Sequence, residues 1–258
     1  MFDKTRKQLV PFLMAGYPSL EASERLALAL IEEGVRVLEV GVPFSDPLAD
    51  GPVIQKVSAR ALENGVRLKD VFELVSRLRR RSDASIVLFS YLNPLLRYGF
   101  ENYTRHAVEA GIHATLAVDL PPEEAEAYLA AHEKVGLKTV FLASPTTRPS
   151  RLPLIAHAST GFIYYVSRTG VTGEREDLPE TLAAQLAPLR DVTSTPIAVG
   201  FGISNAEQAA VIARSADAVV IGSRFLSLVE ESSDLSEAEK RVRALARNCL
   251  AAMNGGIK

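Results

Sequence analysis

The chain has 258 residues, 47% of them apolar, and no apolar run near the roughly eighteen residues that a membrane-spanning helix needs, which leaves a globular chain with one large core or two small ones. Its 29 Lys and Arg residues nearly balance 31 Asp and Glu, so a net charge of -2 supplies no field to hold it on nucleic acid or on an anionic membrane. The one cysteine, Cys249, excludes an intrachain disulfide, and the opening MFDKTRKQLV lacks the apolar centre of a secretion signal, so a cytoplasmic location is expected.

Short β-branched runs then alternate with longer amphipathic segments from end to end. A strand over Val10 to Ala15 leads to a helix over Leu20 to Glu33, and a strand over Val35 to Gly41 leads to helical patterns over Val53 to Glu63 and Lys69 to Arg80. The basic cluster Arg77 to Arg81 closes that last helix, where cations offset the carbonyl end of the dipole. Ser85 to Tyr91 precedes a helix over Phe100 to Glu109, Ala114 to Asp119 one over Glu123 to Lys134, and Thr139 to Ala143 one over Arg151 to His157. Gly161 to Val166 is followed by Pro179 to Leu189, Pro196 to Gly200 by Asn205 to Ala213, and Ala218 to Gly222 by Ser236 to Met253. Eight strands, each followed by a helix and with no composition break, predict a single-domain α/β protein, a (β/α)8 TIM barrel over residues 1–258. The open doubly wound sheet is the rival, but the first strand-to-helix turn reads AGYPS and carries no Gly-x-Gly-x-x-Gly.

Barrel chemistry sits at the C-terminal ends of the strands, so those ends form a short roster of site candidates. The second strand carries Glu39 among Val35, Val37, Leu38 and Val40, and alternation puts Val35, Val37 and Glu39 on one face, expected to be the barrel interior. A carboxyl between Leu and Val loses hydration, which raises its pKa toward neutrality and makes Glu39 a candidate general acid/base. Asp50 lies in the Pro- and Gly-rich loop that follows, a more polar setting in which it is expected to stay ionised, so the two acids are set to different tasks. Three glycine-bearing turns end the last three strands: SRTGVTG at Ser167, GFGIS at Gly200 and IGSRF at Ile221. Close backbone approach and open helix N-termini make Gly202, Gly222 and Ser223 candidate phosphate donors, with Arg224 either adding charge or facing solvent. The histidines His106, His113, His132 and His157 have no ligand spacing, so no metal site is expected, and His106, His132 and His157 read as surface residues of helices.

With the barrel in view, PFLMAGYP at Pro11, LEVGVPFSDPLADGPVIQ at Leu38, YLNPLLRYG at Tyr91, VDLPPEE at Val118, YYVSRTGVTG at Tyr164 and VGFGIS at Val199 closely resemble the tryptophan synthase alpha subunit family. The matches run in order through nearly the whole chain. The resemblance implies a retro-aldol cleavage of indole-3-glycerol phosphate to indole and glyceraldehyde 3-phosphate, without metal or organic cofactor. It implies that Glu39 protonates indole C3 and shuttles the hydroxyl proton, and that Asp50 accepts the ring N–H and stabilises the charge developing there. Phe12, Ile54, Phe89 and Phe201 match the family's apolar slot for the ring, positions that ordinary barrel packing would also fill with such side chains. Tyr164 matches a tyrosine beside the glycerol chain, and Thr172, between Gly170 and Gly173, a threonine of a closing loop that reaches Asp50. Asp119 either supports Asp50 or the loop geometry, or caps the helix begun by LPPEE.

Family members bind a pyridoxal-phosphate beta subunit in an alpha-beta-beta-alpha assembly, and Ser45, Asp46 and Pro47 match its contact surface. Two readings of the same residues remain beside this one: a stand-alone indole-glycerol-phosphate lyase, and a barrel kept mainly to activate the beta subunit. A phosphoribosyl isomerase would show half-barrel similarity, and residues 1–125 do not resemble 126–258. Few residues precede the first strand, so the helix that usually closes the barrel floor is expected to be short or absent, and Phe162 stands where relatives often carry Tyr.

Overall fold

The computed structural model describes residues 1–2, 5–167, 178–200 and 202–255. Eight parallel strands follow one another around a closed barrel: β1 (Gln8–Met14), β2 (Val37–Gly41), β3 (Ser85–Ser90), β4 (Ile112–Ala117), β5 (Lys138–Ala143), β6 (Phe162–Val166), β7 (Ile197–Gly200) and β8 (Ala218–Ile221). Closure is made where Gln8 to Pro11 of β1 pair in register with Ala218 to Ile221 of β8. The helices in chain order are α1 (Leu20–Glu32), α2 (Pro52–Glu63), α3 (Leu68–Arg79), α4 (Leu92–Tyr98), α5 (Phe100–Ala110), α6 (Glu126–Val135), α7 (Leu152–Ala158), α8 (Leu178–Arg190), α9 (Ala206–Ala213), α10 (Ser223–Glu230) and α11 (Leu235–Gly255).

Local chemistry sets many of these boundaries. The Ser19 hydroxyl accepts the Ala22 N–H and starts α1, while Asn205 accepts the Gln208 N–H and starts α9. Pro52 opens α2, where its missing N–H costs nothing. Every strand splits its side chains between two cores. Val10, Val37, Val87, Leu116, Val140 and Val220 belong to the cluster that fills the barrel, whereas Leu38, Val40, Leu88 and Val199 pack outward under the helices. Val35 departs from its expected place, because β2 begins only at Val37; Val35 closes the preceding turn onto the Leu30 carbonyl and packs in the outer core.

Two short helices escaped the sequence pattern. α4 and α10 each span about two turns directly behind a strand end. The helix expected from Glu123 starts instead at Glu126, after a 3-10 turn over Pro122–Glu124. Among the described residues no helix precedes β1, and Met1 and Phe2 pack against the inner cluster, Phe2 lying 5.2 Å from the Phe162 ring. The basic run at the end of α3 is tied down locally: Arg77 pairs with Glu24 at 2.6 Å, and the Arg79 guanidinium donates to the Ser82 and Ala84 carbonyls.

The histidines correct the expectation of surface positions. His132 of α6 is 1% exposed and bonded within the helix layer, and His106 is half-buried against Tyr98; His157 alone of the three is exposed. His132 occupies a helix turn whose other face points outward, and its ring is taken in because the Tyr103 hydroxyl and the Tyr128 carbonyl satisfy both nitrogens.

Candidate active site

β2 delivers Glu39 to the mouth of the barrel. Its side chain is 1% exposed, and neither carboxyl oxygen has a hydrogen-bond partner among the described residues. Phe12 of β1 and Val87 of β3 flank it in register. Burial with nothing to compensate the charge pushes the Glu39 pKa up to about 8, so the group is mainly protonated at pH 7.

Asp50 closes the loop behind β2 and faces the same space. The loop sinks it further than its Pro- and Gly-rich sequence implied: burial raises its pKa to about 6, and a 2.9 Å hydrogen bond from the Tyr91 hydroxyl pulls in the other direction. The expectation of an acid in an ordinary polar setting is corrected to that extent, although Asp50 remains mainly ionised at pH 7. The intended contrast survives, with a proton on Glu39 and a charge on Asp50.

Both acids line a cavity of about 450 Å³. Phe12, Ile54, Phe89 and Tyr164, all expected at the site, line it too, with Val118 and Leu142 adding apolar wall. Phe12 meets Phe89 edge-on at 5.0 Å, so the slot has rigid aromatic sides. Tyr164 faces both carboxylates, and burial together with those charges holds its phenol pKa well above the ordinary value. A Cβ at position 200 would lie 2.6 Å from the Tyr164 hydroxyl oxygen, so only glycine at the end of β7 leaves that phenol its place.

Gly202, Ser204, Gly222, Ser223 and Arg224 line the cavity as well. Gly202 adopts φ +78, a left-handed conformation that suits glycine. The N-terminus of α10 carries no side-chain cap, whereas Asn205 caps α9, so the first amides of α10 behind Gly222 are the open donors. Arg224 pairs with Glu231 at 3.1 Å while still reaching the cavity wall, which joins the two alternatives left open for it. Thr172, Gly173 and Phe201 lie outside the described residues.

Asp119 turns out to be a cap, though for a different helix than expected: its Oδ1 accepts the Leu92 N–H at 2.7 Å and starts α4. Ser45 and Asp46 are exposed, joined by a hydrogen bond from the Ser45 hydroxyl, and Pro47 is half-buried. Leu48, beside them, is 91% exposed. Sequence reasoning passed over Leu48, Gln55 and Tyr91. All three sit inside the quoted strings PFSDPLADGPVIQ and YLNPLLRYG; exposure singles out Leu48, and hydrogen bonds to Asp50 single out Gln55 and Tyr91.

A protein-family model described as the tryptophan synthase alpha chain matches residues 1–254. The tryptophan synthase alpha chain of Solibacter usitatus is 45% identical over 244 residues, covering 95% of this chain and 91% of its own, and that of Citrifermentans bemidjiense is 47% identical over 89% and 86%. The chain belongs to the tryptophan synthase alpha chain family. Its activity is that family's, a lyase reaction that cleaves indole-3-glycerol phosphate in tryptophan biosynthesis. The barrel superposes on the crystal structure of the tryptophan synthase alpha subunit from Legionella pneumophila with a TM-score of 0.89 at 35% identity, over 96% of this chain and 93% of that one. A chain of the tryptophan synthase crystal structure from M. tuberculosis, in its ligand-free form, gives 0.86 at 34% identity over 97% and 94%.

Proposed function

We propose that Glu39 and Asp50 divide the cleavage of indole-3-glycerol phosphate between them, in the cavity just described. Glu39 gives its proton to indole C3, and positive charge builds toward the ring nitrogen, whose N–H is held by the Asp50 carboxylate. The bond between C3 and the glycerol chain then breaks with its electron pair returning to the ring. The hydroxyl carbon becomes the aldehyde of glyceraldehyde 3-phosphate, and the hydroxyl proton passes to Glu39, which ends the cycle as it began. Phe12, Ile54 and Phe89 clasp the indole, Tyr164 stands beside the glycerol chain, and the amides behind Gly202, Gly222 and Ser223 anchor the phosphate. Thr172, Gly173 and Phe201 belong to the same binding site on this reading.

The observation that carries the proposal is the Glu39 carboxyl in the cavity lining, partnerless among the described residues. A buried acid with no protein partner is costly, and the cavity supplies the one place where a ligand can repay it. Indole release by the purified chain, measured with and without Glu39→Gln, is the test; normal turnover of the variant refutes the assignment.

The partner we propose is a tryptophan synthase beta subunit, in an α2β2 assembly in the cytoplasm, seated on Ser45, Asp46 and Pro47. Exposure of Leu48 on that loop supports the reading, since a large apolar side chain so far in water fits a surface that another chain covers. Among the described residues no helix is long and apolar enough to cross a membrane. Turnover that does not respond to added beta subunit would count against the partner and favour the stand-alone lyase.

A further inference from the structure

We infer that Tyr91 is a positioning residue for the cleavage, its hydroxyl bracketing Ala49 and Asp50 so that the Asp50 carboxylate is preset to accept the ring N–H. The inference rests on the reading of Asp50 given above. The Ala49 N–H donates to the Tyr91 oxygen at 2.9 Å, and the Tyr91 hydroxyl donates to Asp50 Oδ2 at 2.9 Å. A phenol has one proton to give. With the Ala49 amide on its acceptor side, that proton is committed to the carboxylate, which engages Oδ2 with the protein and assigns Oδ1 to the ligand. Burial and the neighbouring Asp50 charge raise the phenol pKa, so Tyr91 keeps this proton throughout the range in which the reaction runs.

The bracket is itself held from three directions. The Phe44 ring packs on Tyr91 at 5.1 Å, and both backbone groups of Phe44 bond to the Ser58 hydroxyl at 2.9 Å. Asp119 fixes the amide of the next residue, Leu92. Gln55 reaches the Asp50 carbonyl at 2.8 Å from the opposite side of the loop, so it steadies the main chain while Tyr91 alone among these groups touches the carboxylate. Within the loop itself the backbone bonds are two local turns, Leu48 N–H to Asp46 and Asp50 N–H to Pro47. Those turns fix the chain path. They do not orient the acid.

Steady-state kinetics of indole release by Tyr91→Phe, Asp50→Asn and the double variant, over pH 5 to 9, separate this role from a merely structural one. Tyr91→Phe is expected to lower kcat roughly ten- to a hundredfold, the scale of a lost hydrogen bond to a charged group, with KM and glycerol 3-phosphate binding little changed. The acid limb of its pH profile moves upward, because the bond that favours the ionised form of Asp50 is gone. In the Asp50→Asn background the same change costs almost nothing further. An unmoved acid limb, or equal losses with and without the Asp50 carboxylate, overturns the inference. Normal turnover of Asp50→Asn alone would instead sink the reading of Asp50, a different failure with a different signature.

Discussion

Glu39 and His132 are each 1% exposed, and they meet burial in opposite ways. His132 lies between α5 and α6. The Tyr103 hydroxyl bonds its Nε2 at 2.7 Å, and its Nδ1 donates to the Tyr128 carbonyl at 2.7 Å. A carbonyl only accepts, so Nδ1 carries the proton and Tyr103 donates to Nε2, an assignment made from the network. Burial pushes the His132 pKa down to about 4, which leaves the ring neutral and fully bonded. Glu39 has no such arrangement and faces a cavity. Burial of an ionisable group is therefore a poor mark of function by itself. What separates the two is satisfaction: the paired histidine is finished as architecture, and the unpaired acid is complete only with a ligand.

The sharpest way to break this contrast is Glu39→Gln. Turnover should fall by roughly 10² to 10⁴, the worth of a general acid, while glycerol 3-phosphate still binds. The same variant should be more stable than the parent, because unfolding returns Glu39 to an ordinary pKa. The folded value near 8 means that the folded state is the one holding the proton, so the acid costs nothing below about pH 4.5 and progressively more as pH rises to 8. The gain in unfolding free energy should thus be small at pH 5 and large at pH 8.5, on the order of 2–5 kcal/mol at the upper end. A gain independent of pH would contradict the unpaired acid.

Asp50→Asn comes next, with turnover lower by about a hundredfold and little change in stability, since the amide keeps an oxygen for the Tyr91 hydroxyl. His132→Ala should do the reverse. Its cavity and the stranded Tyr103 and Tyr128 groups should cost about 2 kcal/mol in urea denaturation, with kcat altered less than about twofold. Loss of activity in a folded His132→Ala chain would erase the distinction between the two centres. For the wild type, His132 contributes stability above its unfolded pKa of about 6.5, and that contribution is lost as pH falls through 4. The smallest effect is the pH profile of kcat/KM, a bell with limbs near 6 and 8 and about a tenfold loss at pH 5, as Asp50 takes a proton.

Much of the site was legible because chemistry at a strand end leaves a local signature. Glu39 announced itself as an acid inside a valine run, and the turns at Gly202, Gly222 and Ser223 as glycines where a strand meets a helix. Tyr91 gave no such signal. It reads as the last residue of the third strand, and its tie to Asp50 spans 41 positions of sequence. His132 was misread for a related reason: on a helix of modest amphipathicity a single histidine shows no preference for either face, and its partner Tyr103 lies 29 positions away. α4 and α10 were not among the expected helices, yet α10 presents open amides to the cavity.

The amino-acid order alone determined the barrel and the family and singled out Glu39 and Asp50 as candidate acids, since periodicity and contiguous motifs are properties of neighbouring residues. Which polar atoms find partners was decided only when the strands closed and the helices packed. Hydrogen bonding is short-ranged in space and indifferent to separation along the chain, so Asp50 acquired Tyr91, His132 acquired Tyr103, and Glu39 was left with none among the described residues.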